Sequence, residues 1–106
     1  MPKLFIYATL KNPATQKRII GRTLKTKPDI LENFSLSKIN ISKETFLAAV
    51  PRENRKISGF LVEVTKKELE KIDSYETRAY KRIKVRLKSG VVAWVYVKST
   101  RAQRAF

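Results

Sequence analysis

Two segments that lie far apart in the sequence carry the side chains best suited to chemistry. Residues 4–10 form an apolar run that brings the phenol of Tyr7 and the hydroxyl of Thr9 to the point where a strand would end. Residues 73–82 contain Glu76, the acidic side chain best placed to complete a site with them. A phenol, a hydroxyl and a carboxylate can hold a polar substrate and move its protons. The pattern therefore predicts a buried strand that delivers a polar loop to a pocket.

The chain contains no histidine and no cysteine, which limits this chemistry further. These two residue types are the usual soft metal ligands, and they serve in Cys and Ser/His nucleophile arrangements. Catalysis must therefore rest on carboxylate, hydroxyl, amine or backbone groups, and we expect no structural zinc.

The length and composition predict one soluble domain. The chain has 106 residues, of which 42% are apolar, enough for one core of moderate size. No apolar stretch approaches the roughly 18 residues that span a bilayer, so we expect no membrane association. The N-terminus lacks a signal-peptide pattern, and together with the absence of cysteine this favours a cytoplasmic location.

The net charge is strongly positive and has two interpretations. The chain carries 24 Lys and Arg against 9 Asp and Glu, a formal charge of +15. Such a field attracts polyanions, which include nucleic acid, acidic small molecules and acidic partners. However, the basic residues are spread through every segment, as on a solvated surface or in a protein adapted to high temperature. We favour the solvated surface over a nucleic-acid partner, since no RNA-binding aromatic signature is recognisable.

Two helices are predicted to position the candidate residues. Asn12 is placed to cap the first helix, which ends at Gly21. Thr65 and Glu68 have the spacing of a capping box, and the apolar positions that follow predict a second helix over residues 66–74.

The rest of the chain is rich in strand signals. Residues 23–32 contain a proline and show no clear period, so we predict an irregular segment or short edge strand before a turn at residues 32–33. Strands are predicted at residues 34–41, at 45–50 up to Pro51, at 57–64 with a bulge or close backbone approach at Gly59, and in a hairpin of residues 80–87 and 91–97.

These elements predict an α+β domain with a curled or barrel-like sheet. We expect the domain to cover residues 1–98 and residues 99–106 to form a basic C-terminal tail.

A series of short motifs occurs in order along most of the chain. The segments are Tyr7-Ala8-Thr9-Leu10-Lys11, Gly21-Arg22, Ala48-Ala49-Val50-Pro51, residues 59–64, Asp73-Ser74-Tyr75-Glu76, Tyr80-Lys81-Arg82 and Ala93-Trp94-Val95-Tyr96. In their order and spacing they resemble the γ-glutamylcyclotransferase-like family, which includes the plant avirulence-induced-gene-like proteins and small bacterial and archaeal relatives.

The resemblance implies both a fold and an activity. The fold is a small mixed, mainly antiparallel β-barrel with two flanking helices. Active members convert a small γ-glutamyl amine or γ-glutamyl amino acid to 5-oxoproline and the free amine, without metal or cofactor. Glu76 matches the catalytic acid/base. The implied substrate-binding residues are Tyr7, through its hydroxyl, and Ala8, Thr9 and Leu10, through backbone N–H groups, with Tyr80 and Arg82 as further candidates.

Each of these side chains also has a structural interpretation. Glu76 could be an exposed helix-end carboxylate paired with Arg78 or Lys81. Tyr7 and Tyr80 could be core aromatics of strands. The remaining alternatives are that Arg82 pairs with Asp73 or Glu76 instead of binding a substrate carboxylate, and that Trp94 is a packing residue.

Two departures from the family pattern bear on activity. Ala8 stands where the family has glycine, and a positive φ there would cost on the order of 1 to 2 kcal/mol besides narrowing the pocket. A binding protein that has lost turnover is therefore an alternative function. The surrounding basic residues also lower the expected pKa of Glu76, while burial would raise it.

Overall fold

The computed structural model describes residues 1–41, 43–76 and 79–99. Its elements, in chain order, are β1 (Lys3–Ile6), a 3-10 turn (Thr9–Lys11), α1 (Pro13–Ile20), β2 (Lys27–Ile41), β3 (Glu44–Glu63), α2 (Lys66–Glu76), β4 (Tyr80–Arg86) and β5 (Val92–Lys98).

The strands form one curled sheet in the order β2-β3-β1-β5-β4. Neighbours are antiparallel except that β5 runs parallel to β1 and, where Ala49 meets Val97, to β3. Because β3 contacts both β1 and β5, the sheet bends around on itself. The backbone N–H of Lys88, in the β4–β5 turn, also donates to the Ile30 carbonyl of β2 at 2.9 Å. The predicted α+β fold, with a mixed barrel-like sheet and two helices, is confirmed.

The long hairpin of β2 and β3 corrects three of the predicted boundaries. Of the two predictions for residues 23–32, an irregular segment or a short edge strand, the structure has an edge strand from Lys27 onward. It is longer than predicted, because the predicted turn at residues 32–33 is a bulge within β2. Asn33 has φ 64°, which asparagine tolerates better than most residues. Pro51 does not close a strand but pairs with Phe34 beside this bulge, where its missing N–H is tolerated.

The helix ends follow the sequence signals closely. The Asn12 side chain accepts from the Ala14 N–H at 2.8 Å, and Gly21 ends α1 with φ 81°. The capping box at Thr65 and Glu68 forms in both directions, at 2.8 and 3.0 Å. However, α2 continues two residues past its predicted end, so that Glu76 is its last residue.

The sheet buries a core on each face. One face packs under the helices around Leu4, Ile72 and Tyr96, and the other forms the interior of the curled sheet around Phe5 and Val95. The predicted close backbone approach at Gly59 is confirmed: a Cβ at Gly59 would lie 2.4 Å from the Ile6 carbonyl oxygen and 2.6 Å from the Phe5 ring.

The predicted tail lies outside the described residues apart from its first member. Ser99 is buried, and its backbone N–H donates to the Ala79 carbonyl at 2.9 Å. Across the described part of the chain, none of the helices has the length and apolar character needed to cross a membrane.

Candidate active site

The segment after β1 folds into a tight turn that presents backbone N–H groups. The N–H of Lys11 donates to Ala8 O at 3.0 Å, and that of Asn12 donates to Thr9 O at 3.1 Å. The first N–H groups of such a turn have no partner within it. Those of Thr9 and Leu10 have no acceptor among the residues that the structure describes. The turn therefore offers uncommitted donors beside the cavity that it lines.

Ala8 does not have the positive φ at which glycine is favoured. Its φ is −130°. The expected cost of a left-handed residue at this position therefore does not arise in this structure. The second expected effect, a narrower pocket, stays a prediction; Ala8 is among the residues that line the cavity beside the turn, and it packs against the core around Phe5.

Glu76 faces the same cavity from the end of α2. The half-buried carboxylate shares the cavity with Ala8, Thr9, Leu10 and Tyr96. The volume is about 20 Å³, which holds roughly one water molecule. The two segments singled out in the sequence thus meet, although more than sixty positions separate them along the chain.

The electrostatic environment of Glu76 favours its protonated form. Burial, and then the negative charge of Asp73, raise the pKa of Glu76 to about 7. The basic neighbours do not reverse this, because Arg82 is paired with Asp73 and Lys84 is exposed to solvent. Of the opposing effects expected from sequence, burial is the larger. Arg78, a suggested partner of Glu76, lies outside the described residues.

Asp73, one helical turn before Glu76, is the centre of a hydrogen-bond network. Arg82 binds it with both prongs of the guanidinium, at 2.9 Å from Nε to Oδ1 and 2.9 Å from Nη2 to Oδ2. The Tyr96 hydroxyl donates to Oδ1 at 2.5 Å. Of the alternatives for Arg82, the structure contains the pair with Asp73. These bonds join the last turn of α2 to strands β4 and β5.

The Trp94 ring packs against the cationic side chain of Arg82 in this network. The Arg82 guanidinium carbon lies 4.2 Å from the centroid of the Trp94 ring, and Lys84 Nζ lies 5.0 Å from it. Trp94 is partly buried against the core under the helices, as a packing residue would be. It therefore packs and also holds the Arg82 side chain by a cation–π contact.

The Tyr7 hydroxyl is fully occupied within the protein. It donates to the Tyr96 carbonyl at 2.6 Å and accepts from the Ala49 N–H at 2.9 Å. Burial raises the pKa of the Tyr7 phenol above its ordinary value. These two bonds tie the segment after β1 to β5 and β3, and the hydrogen bond from Tyr7 to a glutamyl group stays a prediction. The ring of Tyr7 still contributes to the cavity wall.

Tyr80 lies on an outer cavity that adjoins the first. Its hydroxyl donates to the Leu47 carbonyl at 2.8 Å, and burial together with the charge of Glu76 raises its pKa to about 12. This outer cavity has a volume of about 320 Å³. It is lined by Asp73, Glu76, Tyr80, Arg82 and Tyr96.

Tyr96 is the functional candidate that the sequence interpretation left unassigned. It lines both cavities, its carbonyl accepts from Tyr7, and its hydroxyl donates to Asp73. Burial and the bond to Asp73 raise the pKa of this phenol, so it remains a neutral donor. The only sequence signal for it was its position as the last residue of the Ala93-Trp94-Val95-Tyr96 motif.

A larger open cleft of about 690 Å³ lies between Lys11, Phe60 and Lys88. We place the candidate site at Glu76 instead, because shifted pKa values, a carboxylate and uncommitted N–H groups meet there.

Comparison with known proteins agrees with this architecture. A family model described as "Gamma-glutamyl cyclotransferase, AIG2-like" matches residues 4–105. A search of curated protein sequences finds no significant match.

Solved structures share the fold at low sequence identity. A protein of Arabidopsis thaliana, determined in solution, aligns with a TM-score of 0.80 and 21% identity over 94% of this chain and 70% of its own. A protein named as a γ-glutamyl cyclotransferase aligns with a TM-score of 0.79 and 13% identity over 92% of this chain. This chain spans 66% of that protein's length. An uncharacterised protein of Pyrococcus horikoshii aligns with a TM-score of 0.71 and 20% identity, over 94% of this chain and 80% of its own. On the evidence of the family model over nearly its whole length, the chain belongs to the γ-glutamyl cyclotransferase, AIG2-like family.

Proposed function

We propose that this protein is a γ-glutamyl cyclotransferase that converts a small γ-glutamyl amine or γ-glutamyl amino acid to 5-oxoproline and the free amine. The observation that carries the proposal is the position of Glu76. Its carboxyl has a pKa of about 7 and lines one cavity with the turn that carries the N–H groups of Thr9 and Leu10, which have no acceptor among the described residues.

Glu76 acts as general base and then as general acid. The α-ammonium of the substrate has no lone pair until the Glu76 carboxylate takes a proton from it. The freed nitrogen attacks the γ-carbonyl carbon, the new C–N bond closes the five-membered ring, and the C–N bond to the leaving amine breaks. Two protons leave the attacking nitrogen and two reach the leaving amine, so Glu76 ends as the carboxylate. A pKa near 7 suits both directions of transfer at neutral pH.

The turn after β1 stabilises the charge that develops during attack. The N–H groups of Thr9 and Leu10 are held by the turn's own hydrogen bonds and need not reorganise as the oxyanion forms. Each well-placed donor of this kind contributes roughly 3 kcal/mol to the transition state.

The other residues of the site position these groups. Asp73, Arg82 and Tyr96 fix the end of α2, and Asp73 adds to the raised pKa of Glu76. The outer cavity beside Tyr80 receives the amine half of the substrate. The inner cavity holds about one water molecule, so a γ-glutamyl group enters only if the turn and the end of α2 move apart.

The test is 5-oxoproline release from a panel of γ-glutamyl amines and amino acids, by the parent and by Glu76→Gln. We expect Glu76→Gln to lower kcat by about 10²-fold or more, the typical contribution of a general acid/base. Glu70→Gln, an exposed substitution on the same helix, is the matched control and should retain activity. Equal rates for the Glu76→Gln variant and the parent would overturn the proposal.

Ala8, which stands where the family has glycine and is among the residues that line the inner cavity, motivates one second candidate: a protein of this fold that binds a γ-glutamyl compound without turnover. This candidate predicts that the same compounds raise the melting temperature while no 5-oxoproline is released.

A further inference from the structure

Gln16 is a buried polar side chain that the mechanism does not use. It lies on α1 and is 2% exposed. Its Nε2 donates to the Leu10 carbonyl at 2.8 Å, and its Oε1 accepts from the Leu24 N–H at 2.8 Å. An amide is costly to bury unless both of its ends are hydrogen-bonded, and here both are.

The bond to Leu10 fixes one particular peptide group. The Leu10 carbonyl and the Lys11 N–H belong to the same peptide plane. Gln16 binds its oxygen at 2.8 Å, and the Ala8 carbonyl binds its N–H at 3.0 Å. A plane held at both polar atoms cannot rotate without breaking one of these bonds. The Leu10 N–H, one of the uncommitted donors, belongs to the same residue as this carbonyl. Fixing the carbonyl therefore also restricts the orientation of that N–H.

The second bond anchors Gln16 itself. Leu24 precedes β2 and packs at the edge of the core under the helices. The Gln16 side chain on α1 therefore connects the turn after β1 to the segment before β2, which does not belong to the site. An apolar side chain of similar size would fill the space but could bind neither backbone group.

We propose that Gln16 is a positioning residue, which holds the turn of Thr9–Lys11 in the orientation that its backbone donors need to bind a γ-glutamyl carbonyl. The inference rests on the proposed function and extends it beyond the family motifs, since Gln16 lies in none of the segments matched above. Preorganised donors lose their advantage when the segment that carries them is free to turn.

Gln16→Met tests the proposal, because methionine has similar volume and no amide. Arg22→Met is the matched control, since it removes two side-chain hydrogen bonds to Glu68 without contacting the turn. We expect Gln16→Met to lower kcat/KM at least tenfold at a temperature where both variants are folded, and Arg22→Met to leave it within twofold. An equal loss in both variants would show a merely structural role and overturn the proposal.

Gln16→Glu adds a pH signature. The introduced carboxyl, when protonated, can donate to the Leu10 carbonyl and accept from Leu24, whereas its ionised form presents only acceptors. The kcat/KM of this variant relative to the parent, measured at each pH, should rise as pH falls. A ratio that does not change with pH would contradict a role through the Leu10 bond.

Amide hydrogen exchange separates failure of this inference from failure of the proposed function. In Gln16→Met, the Lys11 and Asn12 amides should exchange at least tenfold faster than in the parent and in Arg22→Met, whatever the catalytic activity. If the parent releases no 5-oxoproline, the proposed function fails, and exchange alone decides whether Gln16 holds the turn. Unchanged exchange at both amides would overturn the proposal.

Discussion

The partly buried position of Glu76 beside Asp73 lowers the free energy of unfolding when its carboxyl is ionised. Its pKa is about 7 in the folded chain, above the ordinary value of 4.5, because burial and Asp73 disfavour the charge. Below about pH 4.5 the carboxyl is protonated in both states and costs nothing. As pH rises from 4.5 to 7 the unfolded chain loses the proton more readily, so the folded state is progressively destabilised. Above pH 7 the penalty is constant.

Glu76→Gln should therefore stabilise the protein at pH 8 and have little effect at pH 4. The expected gain at pH 8 is on the order of 1 to 3 kcal/mol in the free energy of unfolding, since each pKa unit corresponds to about 1.4 kcal/mol. Denaturant unfolding at both pH values measures it, with Glu70→Gln as the reference. A gain of the same size at pH 4 would contradict this account of the shift.

Ala8 is among the residues that line the inner cavity. We expect Ala8→Gly to raise kcat/KM severalfold, because removing the Cβ widens the cavity beside Glu76. The cost should be about 0.5 to 1 kcal/mol of stability from the added backbone freedom of glycine. The rate of 5-oxoproline release below KM measures the gain.

Ala14→Gly, on the exposed face of α1, makes the same chemical change away from the cavity. If both variants change kcat/KM equally, the Ala8 methyl does not limit the reaction.

At the scale of elements, the start of α2 is set by its capping box and its link to the end of α1. Glu68 accepts from Thr65 N–H and from Arg22, with 2.7 Å from Nε to Oε2. The bond to Arg22 is the largest of the causes that lower the pKa of Glu68 to about 2. A carboxyl with a lowered pKa stabilises the fold above about pH 4.5, and this contribution is lost as pH falls toward 2.

Glu68→Gln should lower the free energy of unfolding at pH 7 by about 0.5 to 1 kcal/mol, because glutamine keeps the capping box and only the charge of the partly exposed pair with Arg22 is lost. The loss should shrink at pH 2.5, where the parent carboxylate is itself being protonated. Denaturant unfolding of the variant and of Glu70→Gln at both pH values tests this. A pH-independent difference would exclude the Arg22 pair as its source.

The elements also show what a sequence can and cannot predict. Helix ends at Asn12, Gly21 and Thr65 were predictable because capping is local, complete within four residues. The bulge at Asn33 was not, because a turn signal and a bulge signal use the same residue types. The prediction that Pro51 ends a strand was wrong for a related reason. Whether a proline ends a strand depends on its pairing partner, which lies on another strand and is not visible locally.

At the scale of the whole molecule, Tyr7 joins strands that the sequence could not place together. The partners of its hydroxyl are 89 and 42 residues away along the chain. The order of the motifs was enough to identify Glu76 from the sequence. The sequence could not show which groups the Tyr7 hydroxyl binds, because those groups come together only when the sheet closes. Long-range pairing of this kind leaves no local pattern.

Tyr7→Phe should lower the free energy of unfolding by about 2 kcal/mol or more, because it keeps the ring but removes the two buried hydrogen bonds that the hydroxyl makes to the Ala49 N–H and the Tyr96 carbonyl. Tyr80→Phe, which loses a single bond to Leu47, is the control and should cost less. Chemical denaturation of both variants compares them. An equal cost would mean that the Tyr7 hydroxyl does not join the strands energetically.

The central place of β1, between β3 and β5, governs the order in which the molecule can assemble. Because β5 follows the other described strands in the sequence, β1 must wait for residues 92–98 before its second edge is paired. Sheets with such distant pairings fold slowly, and unpaired strand edges attract aggregation meanwhile. During synthesis, the Tyr7 hydroxyl has no Tyr96 carbonyl to bind until nearly the whole domain has left the ribosome. The cavity of Glu76 is therefore among the last parts of the molecule to form.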